Sequence, residues 1–175
     1  MRATRRQPRC LRGGGTPRRS GNIRPAWPGN AVNDTIADLT RRVHRWIALE
    51  GLLFETLGRW ARELPEPAVK RTMATWCHRH AWHADLWRNR LPAIPHHQVA
   101  HDGGTWLAPL RSAMGNVATT ADALAVLSGP VLQALEDASA QHRDAIDRRL
   151  DGPTARVLDL VDTDLAGERS ALREL

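Results

Sequence analysis

The stretch VKRTMATWCHRHAWHADLWRNRL, residues 69–91, decides how the rest of the chain reads. At about 100° per residue, Val69, Met73, Trp76, His80, His83, Trp87 and Leu91 fall in one stripe about 80° wide. That is the period of a half-buried helix, not the alternation of a strand, and it predicts a helix over 67–91 that Pro92 stops. It also places two histidines, three residues apart, on the buried face among tryptophans. They are either metal ligands or packed aromatics that titrate. Which it is depends on what other segments bring to the same depth.

Upstream, Asp34 and Thr35 are cap residues for a first helix that runs to about Leu64, where "PEP" ends it. Its apolar stripe is Val43, Trp46, Ile47, Phe54, Leu57 and Ala61, with Glu50 in the middle and Glu55 well outside. Downstream, residues 92–119 mix Gly, Pro and His and read as a long connection with one helical turn near 106–113. A third helix is expected over 120–150, kinked at Gly129–Pro130. Its stripe is Leu132, Leu135, Ser139, Ile146 and Leu150, flanked on opposite sides by Glu136 and His142. "DGP" at 151–153 breaks the chain, and a fourth helix over 154–173 buries Val157, Val161, Leu172 and Leu175, with Asp164 and Glu168 between them. No segment has the pattern of a strand. The expected fold is all-α, a four-helix bundle of two hairpins. A helix of 28 residues is about 42 Å long, and a 28-residue connection can span it, so helices two and three are expected to be joined by one long crossover.

Buried carboxylates need partners, and Glu50, Asp164 and Glu168 all sit on apolar seams. Antiparallel neighbours at equal distance from their turn lie at equal depth. Glu50 stands 15 residues before the turn near Pro65 and His80 15 after it; Glu136 stands 16 before Gly152 and Glu168 16 after. With the two turns at opposite ends, both pairs reach the middle of the bundle, and one shared site is geometrically allowed.

These residues resemble those of the ferritin-like di-iron carboxylate family, which places a Glu on helix one and Glu-x-x-His on helix two, then repeats the scheme on helices three and four. "HAWHADLW" (80–87) is similar to the second-helix motif, with His80 in place of its Glu and His83–Ala84 retained. Glu50 in "WIALEGLLFE" matches the first-helix ligand, Glu136 the third-helix carboxylate, and Asp164 with Glu168 approximate the fourth-helix pair. Actinobacterial ferritin-like proteins of unassigned function carry helices similar to this one. The resemblance covers residues 34–175. It implies a transition-metal site made of Glu50, His80, His83, Glu136, Asp164 and Glu168, taking Fe or Mn, with Zn as a third candidate. It also implies O₂-dependent oxidation of an unknown small molecule. A histidine at position 80 supplies a terminal nitrogen where the family has a bridging carboxylate, which suits a single ion.

Two readings stand beside it. One is a metal-free scaffold or interaction protein that keeps the fold, with His80 and His83 bonded to Glu50 and Asp164 and packed against Trp76, Trp82 and Trp87. The other is a DinB-like metal-dependent transferase or hydrolase, whose histidine triad would need His142 or His44. The absence of tyrosine excludes a tyrosyl-radical generator, and no family of surface carboxylates suggests a storage cage. His96, His97 and His101 read as a solvated loop, and Cys77 as a small hydrophobe at the edge of the stripe.

The net charge of +6 does not describe the folded part. Residues 1–30 hold eight arginines and no acid; removing them from 25 basic residues leaves 17 against 19 acids, or −2 for residues 31–175. Nucleic acid is therefore not an expected partner of the bundle. The tail is rich in Arg, Gly and Pro and too poor in aliphatic residues to offset the entropy of ordering, so it is expected to be disordered. A flexible tail, a start codon assigned too far upstream and a polyanion-binding arm all fit it. It has no apolar core of a secretory signal. No stretch of 18 apolar residues exists, so no membrane partner is expected. Two cysteines are no disulfide framework and suggest a cytoplasmic location. A homodimer is left open. No phosphate loop, nucleophile elbow or dinucleotide fingerprint occurs.

Overall fold

The computed structural model describes residues 35–93 and 104–175, and among these every regular element is helical. Helix α1 spans Ile36–Glu63 and α2 Pro67–Arg88; a 3₁₀ turn at Thr105–Leu107 leads into α3, Ala108–Gly115. Helix α4, Thr120–Val126, passes through a π-helical turn at Leu127–Val131 into α5, Leu132–Ala145, and α6 spans Gly152–Leu172. Expectations for the tail, 1–30, and for His96, His97 and His101 lie outside the described residues. No described helix is long and apolar enough to cross a membrane.

Local chemistry explains the ends. The Thr35 hydroxyl accepts from the Asp38 N–H at 3.2 Å while the Asp38 carboxylate accepts from the Thr35 N–H at 3.1 Å, a capping box that opens α1. Thr119 and Asp122 repeat it on α4. Leu64, ahead of Pro65, turns extended and ends α1, and Pro67 occupies the first turn of α2, where a missing N–H costs nothing. Asp151 caps α6 by accepting from the Thr154 N–H at 3.2 Å.

The third long helix carries a π-helical turn at Leu127–Val131, around the Gly129–Pro130 step where a kink was expected, and this turn accommodates the missing N–H of Pro130. It differs from expectation at its end. The helix ends at Ala145, not at 150, because the Asp147 side chain accepts from the Arg149 N–H at 2.8 Å and draws the chain into a turn. Leu150, expected in the core, is consequently 86% exposed. Helix α2 likewise ends at Arg88, before Leu91, in a turn closed on the carbonyls of Asp85, Trp87 and Arg88.

Contacts at the helix ends set the chain directions. Thr120, opening α4, donates its hydroxyl to Glu66 in the α1–α2 turn. Arg90, just past α2, donates to Thr154 at 3.1 Å and Asp151 at 3.2 Å, at the start of α6. The α4–α5 helix thus runs in the same sense as α2, and α6 returns. Residues 105–115, ahead of α4, lie against α1, with Trp106 under the Arg45 guanidinium and the Met114 carbonyl accepting from Arg59 at 3.2 Å.

One core joins all the long helices, with Val43, Trp46, Leu53, Leu57 and Trp60 from α1 meeting Met73, Trp76 and Trp87 from α2, Leu135 and Ala138 from α5, and Leu158, Val161 and Leu165 from α6. The buried arc of α1 is turned from the expected stripe, since that helix faces α5 as well as α2. Leu49 and Leu53 are buried, while Phe54 is 45% exposed and Ile47 and Ala61 are only partly covered. Glu50 stays buried because it lies where the two arcs overlap. On α6, Leu158 and Leu165 are buried beside the expected Val157 and Val161, and Leu172 packs against the core only partly buried; Leu175, past the helix, is exposed.

Candidate metal centre

Glu50 on α1 and His80 and His83 on α2 meet at one level, all buried. Each offers a ligand atom, and these atoms lie within 4.8 Å of one another. The tight turn makes this possible by placing residues of equal distance from it side by side on antiparallel helices. His80 donates from Nδ1 to Glu50 Oε2 at 2.6 Å. His83 Nε2 is 3.0 Å from Asp164 Oδ2; a carboxylate only accepts, so this nitrogen carries the hydrogen when the ring is neutral. The other nitrogen, Nδ1, then presents a lone pair to Glu50 Oε1 at 3.6 Å, and neither atom has a hydrogen-bond partner.

Helix α6 closes the site on its other side. Glu168, buried, stands with Oε2 3.5 Å from His80 Nε2 and Oε1 3.1 Å from Arg79 Nη1. Asp164 is 28% exposed and holds His83 with Oδ2 while Oδ1 lies 3.4 Å from Arg79 Nε. Beyond the histidines, one turn along each helix, Trp46 and Trp87 stack at 5.0 Å and 9°.

The electrostatics follow from this crowding. Burial opposes the charge on Glu50, yet the charge and the hydrogen bond of His80 outweigh it and hold the carboxyl below its ordinary range. Burial likewise opposes charge on His80, but Glu50, with hydrogen bonds to Glu168 and Glu50, pushes the imidazole up to about 10. In the metal-free protein the His80 proton therefore serves as the cation between two carboxylates.

Of the six expected ligands the structure brings five together: Glu50, His80, His83, Asp164 and Glu168. Glu136 is not among them. It sits on the outer α5–α6 groove, 40% exposed and paired with Arg169. Equal depth with Glu168 was right, but depth says nothing about the angle at which a side chain leaves its helix. On the third helix the position facing the core is filled by Leu135 and Ala138.

His142, expected on a flank, is fully buried. Trp46 donates its indole N–H to His142 Nδ1 at 2.8 Å, and the ring lies against Trp87 at 5.5 Å. Burial, with the charge of Arg42 and against that of Asp151, pulls its pKa down to about 3. Trp82 is half-exposed yet touches the edge of His83, with ring centroids 5.6 Å apart. Arg79 was missed by sequence reasoning. The available signal was a lone cation beside His80 at the level of two acids on the last helix. No protein-family model matches this chain, and no curated protein or solved structure matches it.

Proposed function

We propose that the chain is a ferritin-like four-helix bundle, with the segment between α2 and α4 as its one crossover, that binds a transition-metal ion in its core. Glu50, His80 and His83 are the ligands, with Glu168 and Asp164 completing the wall. The observation that carries this is the unpartnered pair, Glu50 Oε1 and His83 Nδ1, 3.6 Å apart and both buried. Two acceptors left facing each other without a donor cost free energy unless a cation lies between them. Atoms bound to one tetrahedral ion at about 2.1 Å each stand about 3.4 Å apart, close to that separation.

The donor set of two imidazoles and one carboxylate suits Fe or Mn, and Zn as well. An iron ion held this way would supply dioxygen activation, so the reaction class we assign is O₂-dependent oxidation of a small molecule. The chain's own residues prepare the site. Asp164 fixes the His83 tautomer that leaves Nδ1 free to ligate. Glu50 neutralises charge and orients His80. The Trp46–Trp87 stack excludes water from below, and the half-exposed seam of Arg79, Asp164 and Trp82 is the side from which solvent reaches the histidines.

A second reading, a metal-free polar core, is favoured by the fact that each histidine already bonds a carboxylate, at 2.6 and 3.0 Å. Comparing melting with and without chelator separates the two. With metal at about a hundred times its dissociation constant, binding adds about 2.7 kcal/mol, several degrees in the midpoint. Purified protein should carry metal, lose those degrees in chelator, and lose both metal and response as the His80→Gln/His83→Gln double variant. An unchanged midpoint in chelator, with no rise on adding Fe, Mn or Zn, leaves the polar core as the answer. A DinB-like triad finds less support: His142 is held by Trp46, and among the described residues the only grouping of this kind is Glu50, His80 and His83.

A further inference from the structure

Both carboxylates on α6 are divided in the same way. Glu168 turns one oxygen to His80, at 3.5 Å, and the other to Arg79, at 3.1 Å. Asp164 turns one oxygen to His83, at 3.0 Å, and the other to Arg79, at 3.4 Å. A carboxylate split between two cations is the arrangement by which paired metal ions are bridged. Here the histidine cluster stands on one side and a guanidinium on the other.

We propose that Arg79 is a built-in cation in the position of a second metal ion, so that the centre accepts one divalent ion and accepts two once this charge is removed. The inference rests on the metal-binding reading above. Charge supports it. With neutral imidazoles the cluster holds three carboxylates, Glu50, Asp164 and Glu168, and one guanidinium, for a net charge of −2. One divalent ion brings that to zero. A second, with Arg79 in place, would leave two uncompensated positive charges in a largely buried site, an arrangement of the kind that desolvation makes prohibitive. Sterically the guanidinium already occupies the free oxygen of each α6 carboxylate. The third helix does not compensate, because Glu136 is turned outward to Arg169. Removing the Arg79 side chain frees two carboxylate oxygens on adjacent turns of α6, room for water, and a local charge of −3.

The test is a count of bound ions by equilibrium dialysis against Mn²⁺ and, separately, Zn²⁺. It uses the full chain, wild type, Arg79→Lys, Arg79→Ala, and Arg79→Ala/Asp164→Asn. Ions bound elsewhere on the surface are subtracted using a Glu50→Ala/Asp164→Asn background. Wild type and Arg79→Lys should hold one ion per chain, Arg79→Ala two, and the double variant one again. Arg79→Gln replaces Arg79→Ala if the latter does not fold. Two ions in the wild type, or one in both the wild type and Arg79→Ala, overturn this inference and leave the metal-binding reading standing. No ion in the wild type overturns both, whether Arg79→Ala then holds one ion or none.

Discussion

Mild acid should weaken this fold through His142. The ring is fully buried, accepts at Nδ1 from Trp46, and is held at a pKa of about 3 against an ordinary 6.5. Its folded pKa lies below its unfolded one, so its neutral form is favoured by folding. Stability is intact above pH 6.5 and is lost as the pH falls toward 3. Each pH unit across that interval costs about 1.4 kcal/mol, so lowering the pH to 5 costs about 2 kcal/mol. For a domain of this size that is a midpoint drop of about 4–8 °C. Glu50 and His80 do not imitate the effect in this window. Glu50 is held below its ordinary 4.5, so its contribution is lost only in stronger acid, and the His80 contribution is fully present below 6.5 and disappears as pH rises toward about 10. The assay is urea unfolding at pH 7 and pH 5, in chelator, for wild type and His142→Asn. Asparagine keeps an acceptor near the Nδ1 position, and any cavity cost is the same at both pH values. The wild type should lose about 2 kcal/mol more than the variant between the two. Equal losses would refute the assignment of a neutral, acid-resistant imidazole at this position.

Glu50→Ala leaves the buried His80 imidazole short of a partner and should cost about 1–3 kcal/mol in urea unfolding, whereas Glu55→Ala should cost about 0.5 or less. Similar costs would mean that Glu50 is not the residue holding the histidines. Glu136→Ala, removing a half-exposed pair with Arg169, should change stability by about 0.5 kcal/mol or less and leave bound metal unaltered. A loss of metal in that variant would place Glu136 in the centre after all.

The helical character was legible because tertiary packing and local period agree: Val69, Met73, Trp76 and Trp87 are apolar at the spacing that buries them. The pairing of Glu50 with His80 was legible for a geometric reason, since a two- or three-residue turn leaves little freedom in the register of the helices it joins. Where counting met a longer connection it lost this power. Six residues separate α5 from α6, and the level of Glu136 was recoverable but its direction was not. Phe54 and Leu53 are adjacent and equally apolar; choosing between them needs the position of α5, which no residue of α1 encodes. His142 and Trp46 are 96 residues apart, and Arg79 meets Glu168 across 89, so nothing in the local pattern announces either contact.

The stacked indoles of Trp46 and Trp87 also give this protein an optical signature. Two indoles at 5.0 Å and 9° share their excited states, and a chain without tyrosine absorbs in the near ultraviolet through its seven tryptophans. The coupling of this pair should add a band to the near-ultraviolet circular dichroism that a Trp46→Phe variant removes. Trp46 belongs to α1, Trp87 to α2, and the ring that holds Trp46 in place comes from α5. The band can reach full strength only when all three helices have docked. It therefore times that docking separately from the far-ultraviolet signal, which rises as soon as the helices form.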